Sequence, residues 1–276
     1  MSNLATLSDG VTHYRVEGPI GGIRLILIHG ATVPSWVYDR LTPLLIERGF
    51  QVLRYDLLGH GGSSLPEKSL SYDLMVSQLT ELLETLEWEK PFNIISYSLG
   101  APISMRFVLE EPSRLNRMIL VAPMINYSIR NPGMFMFKLP KLGEWLMRHF
   151  VIPLLIRRRH KRYSKIRMAH LGESFEEMTK NPEFLHTLLS LIRNGLLSDQ
   201  SKIFEEMSSH KKKLMLIGAT DDRTLPIEQF EQIYKLLGNP STICYQGMGH
   251  NMILSHAENL INDLINFFWQ DVDIVE

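Results

Sequence analysis

The stretch Phe92-Asn93-Ile94-Ile95-Ser96-Tyr97-Ser98-Leu99-Gly100-Ala101-Pro102, residues 92–102, sets a short apolar run directly against a small-x-Ser-x-Gly pentapeptide. The run Phe92 to Ser96 reads as a strand buried on both faces of a parallel sheet, and Leu99 to Leu109 reads as the helix that follows it. Pro102 falls in the first turn of that helix, where its missing N–H costs little. A reversal this sharp needs small residues at 96 and 100, because neighbouring backbone segments nearly touch there. The same turn strains Ser98 and lifts its hydroxyl out of the sheet. It also places the Leu99 amide at a helix N-terminus, where it can donate to a developing oxyanion. A tight turn without chemistry would use the same small residues, and Ser96 stands where glycine is commoner, so the meaning of Ser98 depends on what lies elsewhere.

Upstream, Ile23 to Ile28 is almost unbroken apolar sequence and reads as a central strand. Around the pentapeptide, strands and helices alternate: helix Trp36 to Arg48, strand Gln51 to Tyr55, helix Tyr72 to Trp88, then strand Arg117 to Val121. Leu79, Leu82, Leu83 and Leu86 recur at helical spacing and give the second of these helices an apolar stripe. The segment Leu4 to Glu17, turning at Asp9-Gly10, reads as a short antiparallel ribbon. After Pro123 the alternation stops. It resumes at Lys213 with strand Leu214 to Ile217, helix Ile227 to Leu237, strand Ser241 to Tyr245 and helix Ala257 to Trp269. The fold class is therefore α/β, a mostly parallel doubly wound sheet of about eight strands. Residues 1–123 and 210–276 form its core, and 124–209 are an inserted helical cap.

In an open sheet of this kind, functional groups sit just beyond the carboxyl ends of the strands. His29-Gly30-Ala31 follows the first central strand, and the Ala31 amide can join that of Leu99 as a second oxyanion donor; His29 is assigned a structural task. After Ile217 comes Gly218-Ala219-Thr220-Asp221-Asp222-Arg223-Thr224-Leu225-Pro226, with two adjacent carboxylates. After the last strand comes Gly247-Met248-Gly249-His250-Asn251, where flanking glycines let an imidazole reach across the strand ends. Ser98, then Asp221 or Asp222, then His250 is an order suited to one relay. A serine hydroxyl is a weak nucleophile until a histidine takes its proton, and a carboxylate fixes the tautomer of that histidine.

With these residues in hand, the chain resembles the α/β-hydrolase superfamily, specifically the capped serine hydrolases that include carboxylesterases, monoacylglycerol-lipase-like enzymes and carbon–carbon bond hydrolases. Asp56-Leu57-Leu58-Gly59-His60-Gly61-Gly62-Ser63-Ser64 is similar to the loop after the second central strand in that group, as a fold marker that gives His60 no chemistry. The resemblance implies that the acid precedes a proline by four residues, which selects Asp222, whereas counting from Gly218 selects Asp221. It implies hydrolysis of a carboxylic ester of a small or lipophilic substrate through an acyl-enzyme on Ser98. The alternatives are carbon–carbon cleavage of a diketone-like substrate and a slow-turnover ligand receptor. No metal and no organic cofactor is expected, since neither ligand spacing nor a phosphate-cradling glycine loop occurs.

Composition narrows the partners. Twenty-nine Lys and Arg balance thirty Asp and Glu, so the net charge of -1 gives no reason to expect nucleic acid. One cysteine, Cys244, cannot form an internal disulfide, and Met1 to Gly10 lacks a signal-peptide pattern, so a cytoplasmic location is expected. In the cap, Met134, Phe135, Met136, Phe137, Leu142, Trp145, Leu146 and Met147 offer apolar surface for an acyl chain, or simply packing. The run Arg157-Arg158-Arg159-His160-Lys161-Arg162, with Lys165 and Arg167 nearby, reads as a solvated helix face. A sharper reading is peripheral contact with an anionic membrane or an acidic substrate near the pocket mouth.

Overall fold

A computed structural model describes residues 2–128, 132–210 and 213–269. The remaining positions, at the ends of the expected core and within the expected cap, lie outside the described residues. Eight strands form one sheet in the order β1-β2-β4-β3-β5-β6-β7-β8. They are β1 (Asn3–Leu7), β2 (Gly10–Glu17), β3 (Ile23–Ile28), β4 (Phe50–Tyr55), β5 (Phe92–Tyr97), β6 (Leu115–Val121), β7 (Lys213–Ala219) and β8 (Ser241–Tyr245). The first two pair antiparallel, and all pairs from β4 to β8 are parallel. Residues Leu25 to Ile28 and Met118 to Val121 have no accessible surface at all, which is why these strands carry runs rather than alternation.

Helices α1 (Leu41–Ile46), α2 (Tyr72–Thr85) and α3 (Gly100–Glu110) link the first strands. One helix over Trp36 to Arg48 was expected; instead a 3-10 turn spans Ser35–Tyr38 and α1 starts only at Leu41. Pro43 explains the break, since it has no N–H to offer the carbonyl of Asp39 and its ring crowds that turn. The next helix stops at Thr85, short of Trp88, because Glu87 turns left-handed at φ 53° and the Trp88 amide closes back on the Leu83 carbonyl.

Between β6 and β7 the described chain carries α4 (Leu142–Leu146), a wide turn over Met147–Val151, α5 (Ile152–Lys165), α6 (Ala169–Lys180), α7 (Pro182–Arg193) and α8 (Ser201–Ser208). Helices α9 (Ile227–Leu236), α10 (Met252–Ser255) and α11 (Ala257–Trp269) complete the sheet. No helix among the described residues is long and apolar enough to cross a membrane. Parallel strands place the carboxyl ends of β3, β5, β7 and β8 along one edge, so residues 30, 98, 222 and 250 share that edge despite their separation in sequence.

Candidate active site

Strand β5 delivers Ser98 into the turn at φ 53°, a left-handed conformation that costs a residue with a Cβ about 1–2 kcal/mol. Three backbone bonds offset this strain. The Ser98 amide donates to the Val121 carbonyl at 3.1 Å, and its own carbonyl accepts from the amides of Ala101 at 3.1 Å and Met124 at 3.0 Å. Gly100 is required by contact: a Cβ there would sit 2.4 Å from the Ile28 carbonyl oxygen, which is how closely α3 approaches β3. Ser96 is tolerated in place of glycine because its hydroxyl meets that of Ser104 on α3 at 3.0 Å.

The His250 Nε2 lies 3.1 Å from the Ser98 Oγ, and its Nδ1 lies 2.8 Å from an Asp222 carboxylate oxygen. A carboxylate accepts only, so Nδ1 carries the proton and Nε2 is left as the acceptor facing the hydroxyl. The other Asp222 oxygen accepts from the amides of Thr224 at 2.7 Å and Leu225 at 2.8 Å, which fixes the carboxylate before it meets the imidazole. Its side chain is 1% exposed and that of His250 11%, so the relay is shielded from water. Asp221, the alternative acid, points to solvent and takes only the Thr220 hydroxyl at 3.1 Å. Of the two aspartates, it is Asp222, four residues before the proline, that the fold brings to the His250 ring. The Tyr97 ring packs 5.1 Å from the His250 ring, and its hydroxyl donates to Asn251 at 3.1 Å.

The amides of Ala31 and Leu99 donate to no acceptor among the described residues, and both residues line the pocket that holds Ser98. His29 sets the direction of the first. Its Nε2 accepts from the Leu57 amide at 2.8 Å, so its Nδ1 carries the proton and donates to the Gly30 carbonyl at 2.7 Å. That carbonyl and the Ala31 N–H belong to one trans peptide plane, so holding the oxygen turns the N–H the opposite way. Both ring nitrogens of His29 thus meet backbone groups. His60 is also buried, with its ring nitrogens at the Leu58 and Ala31 carbonyls. Asp56, buried below, gathers the amides of Ser35 and Gly62 and the His13 ring.

These buried histidines carry a pH prediction. Burial, and then the neighbouring His60, push the His29 imidazole from 6.5 down to about 3, and burial lowers His60 as well. Between those two values the unfolded chain binds a proton that the folded chain refuses, so stability is complete above the unfolded value and is lost on acidification. His29 alone removes up to roughly 1.4 kcal/mol per pH unit in that window. A thermal midpoint that is level above neutrality and falls by a few degrees per unit from about pH 6 to about pH 4 is expected. A midpoint independent of pH over that range would refute the buried neutral imidazoles.

Above the serine is a cavity of about 230 Å³. Val33, Met124, Tyr127, Leu188, Ile192 and Leu197 give it apolar walls, and Thr32, Thr224 and Asn251 lie near the relay. Of the apolar residues expected to receive an acyl chain, only Met147 lines it; Phe135, Met136, Leu142 and Trp145 are instead exposed on the outside of the inserted segment. The remaining three, Met134, Phe137 and Leu146, are half-buried and do not line the cavity. Sequence reading missed the wall that α5 provides. Val151, Leu155, Arg158, Arg159 and Arg162 all face the pocket. From Leu155 the spacing is i, i+3, i+4, i+7, a helical stripe that was present in the sequence beneath a dense basic run. Arg157, Lys161 and Lys165 are exposed, and His160 meets Glu176 at 2.7 Å.

Comparison with known proteins agrees with this architecture. A family model described as "Serine aminopeptidase, S33" matches residues 23–256. An AB hydrolase superfamily protein of Bacillus subtilis, YisY, is 23% identical over 257 residues, which cover 90% of this chain and 91% of that protein. An uncharacterized hydrolase of Saccharomyces cerevisiae is 33% identical over 115 residues, covering 41% of this chain and 39% of its own length. Among solved structures, a bromoperoxidase from Bacillus anthracis superposes with a TM-score of 0.81 at 19% identity, covering 97% of this chain and 99% of that one. With the sheet order, the strained serine and the match across most of its length, the chain belongs to the S33 serine aminopeptidase family of the α/β-hydrolase superfamily and is a hydrolase by kinship.

Proposed function

We propose that the protein is a serine hydrolase that cleaves carboxylic esters through an acyl-enzyme on Ser98. The observation that carries this reading is the continuous relay from Asp222 through His250 to Ser98, set beside two backbone amides with no acceptor among the described residues. Ser98 Oγ attacks the ester carbonyl as its proton passes to His250 Nε2, and the Ala31 and Leu99 amides receive the charge that develops on the carbonyl oxygen. His250 returns the proton to the departing alcohol, which leaves the acyl group on Ser98. A water then repeats the sequence, giving its proton to His250 and its oxygen to the acid product. Helices α5 and α7 serve in this reading as the cap that covers the serine and shapes the acyl site.

The family description names an aminopeptidase, and the pocket argues for a different substrate here. A free α-ammonium group would need an acidic partner, yet among the described residues lining the cavity there is no Asp or Glu and there are three arginines. The same arginines favour a second reading, hydrolysis of a carbon–carbon bond in a diketone-like substrate, whose enolate character a cationic wall would support.

A serine-reactive phosphonate read by intact mass tests the nucleophile: one adduct on the wild type and none on Ser98→Ala is expected, and equal labelling of both would sink the assignment. A panel of esters graded in acyl length then separates the two chemistries. Turnover of a vinylogous diketone with no ester cleaved at all would replace the ester reading with the second one.

A further inference from the structure

The inner wall of α5 has a charge pattern that ester hydrolysis does not require. Arg158, Arg159 and Arg162 lie on one stripe of that helix and line the cavity that contains Ser98. Arg159 is held in place: one guanidinium nitrogen donates to the Thr32 hydroxyl at 2.8 Å, another to the Tyr163 hydroxyl at 3.2 Å, and the group stacks on Phe175 at 5.3 Å. Thr32 directly follows Ala31, so this guanidinium is anchored one residue from an oxyanion donor. Arg158 and Arg162 have no hydrogen-bond or ion-pair partner among the described residues. Both residues are exposed, and the surrounding protein, then Arg159, lowers the pKa of Arg162 more than Tyr97, Tyr163 and Asp222 raise it. Asp222, the carboxylate whose charge reaches Arg162, is already hydrogen-bonded to His250, Thr224 and Leu225 and makes no ion pair with it.

Three like charges on one wall repel one another, and with no ion pair to Arg158 or Arg162 among the described residues there is room for an anion supplied from outside. Away from Ser98 and His250 the other walls are mainly apolar, so the missing group and an uncharged body can belong to one molecule. We propose that the substrate carries a carboxylate on the side of the scissile carbonyl that faces α5, and that Arg158 and Arg162 bind it with Arg159 as the fixed member of the trio. This subsite rests on the reading of Ser98 as nucleophile only for the position of the carbonyl. Planar guanidinium groups suit it because each can present two parallel N–H donors to a carboxylate, which lysine cannot.

The test uses binding, so turnover is not needed. Ser98→Ala is titrated calorimetrically with monomethyl glutarate, which is anionic, and with dimethyl glutarate, its neutral counterpart, at low and at physiological ionic strength. The monoester is expected to bind at least about tenfold tighter, with the preference shrinking as salt rises. In Ser98→Ala carrying also Arg158→Gln and Arg162→Gln the two ligands are expected to bind alike, and lysine at both positions is expected to restore part of the preference. Both arginines are exposed, so the glutamine variant should unfold at the midpoint of its parent, which separates loss of the subsite from loss of fold. Equal affinity for the two esters, no binding of the anion, or a preference that survives the glutamines overturns the proposal. Failure of the nucleophile assignment reads out separately, as absent phosphonate labelling of the wild type.

Discussion

Ser98→Ala is expected to lower kcat on any cleaved ester by about 10⁶-fold while the protein stays folded. The size follows from what the hydroxyl does: without it there is no acyl-enzyme, and water must attack a carbonyl that the pocket merely holds. The amides of Ala31 and Leu99 remain, so a residual acceleration of roughly 10³ over solution is the floor to look for. The fold should survive because what holds the turn is backbone, the bonds of residue 98 to Val121, Ala101 and Met124. An alanine meets the same left-handed strain that the serine already bears. Steady-state turnover with circular dichroism on one preparation checks both halves, and a loss of less than about 100-fold would mean that another group attacks.

Asp222→Asn should cost about 10⁴-fold in kcat, whereas Asp221→Asn should change it by less than about threefold. An amide at 222 can keep the hydrogen bonds from Thr224 and Leu225 and still turn its NH₂ toward the ring. His250 would then accept at Nδ1 and hold its proton on Nε2, the nitrogen that must receive one from Ser98. The loss should therefore appear in kcat far more than in KM. Asp221 has no such link: its carboxylate stands in water beside the Thr220 hydroxyl. Equal effects of the two substitutions would show that the loop can present either acid to the histidine.

The sheet was legible because its central strands are buried on both faces, and runs such as Ile23–Ile28 are short, apolar and bounded by turn residues. Ser98, His250 and the pair at 221 and 222 were legible because parallel strands put their carboxyl ends along one edge, and the polar residue after each run can be picked out. The choice within the pair was open in sequence because both residues are aspartate; it depends on which one turns inward to the amides of Thr224 and Leu225. The pocket wall was obscured for a different reason. Charge dominates the segment Arg157 to Arg162, and a dense basic run looks uniformly wet although Arg158, Arg159 and Arg162 line the cavity. The apolar pattern of Trp36 to Arg48 continues through Pro43, whose effect is on hydrogen bonding and leaves hydrophobicity untouched, so hydrophobicity alone overruns the true helix Leu41–Ile46.

The hydroxyl of Ser98 and the imidazole of His250 are 152 positions apart, and the acid between them follows a third strand. During synthesis the serine leaves the ribosome and can take its place in β5 well before the base has been made. In the proposed reading a nascent chain therefore carries an unarmed serine, and activity is expected to begin only when β8 and its following turn pair with β7. Loss of that one edge strand would disarm the protein while most of its helices and central strands stood intact, so in a denaturation series turnover should fade ahead of the circular dichroism signal.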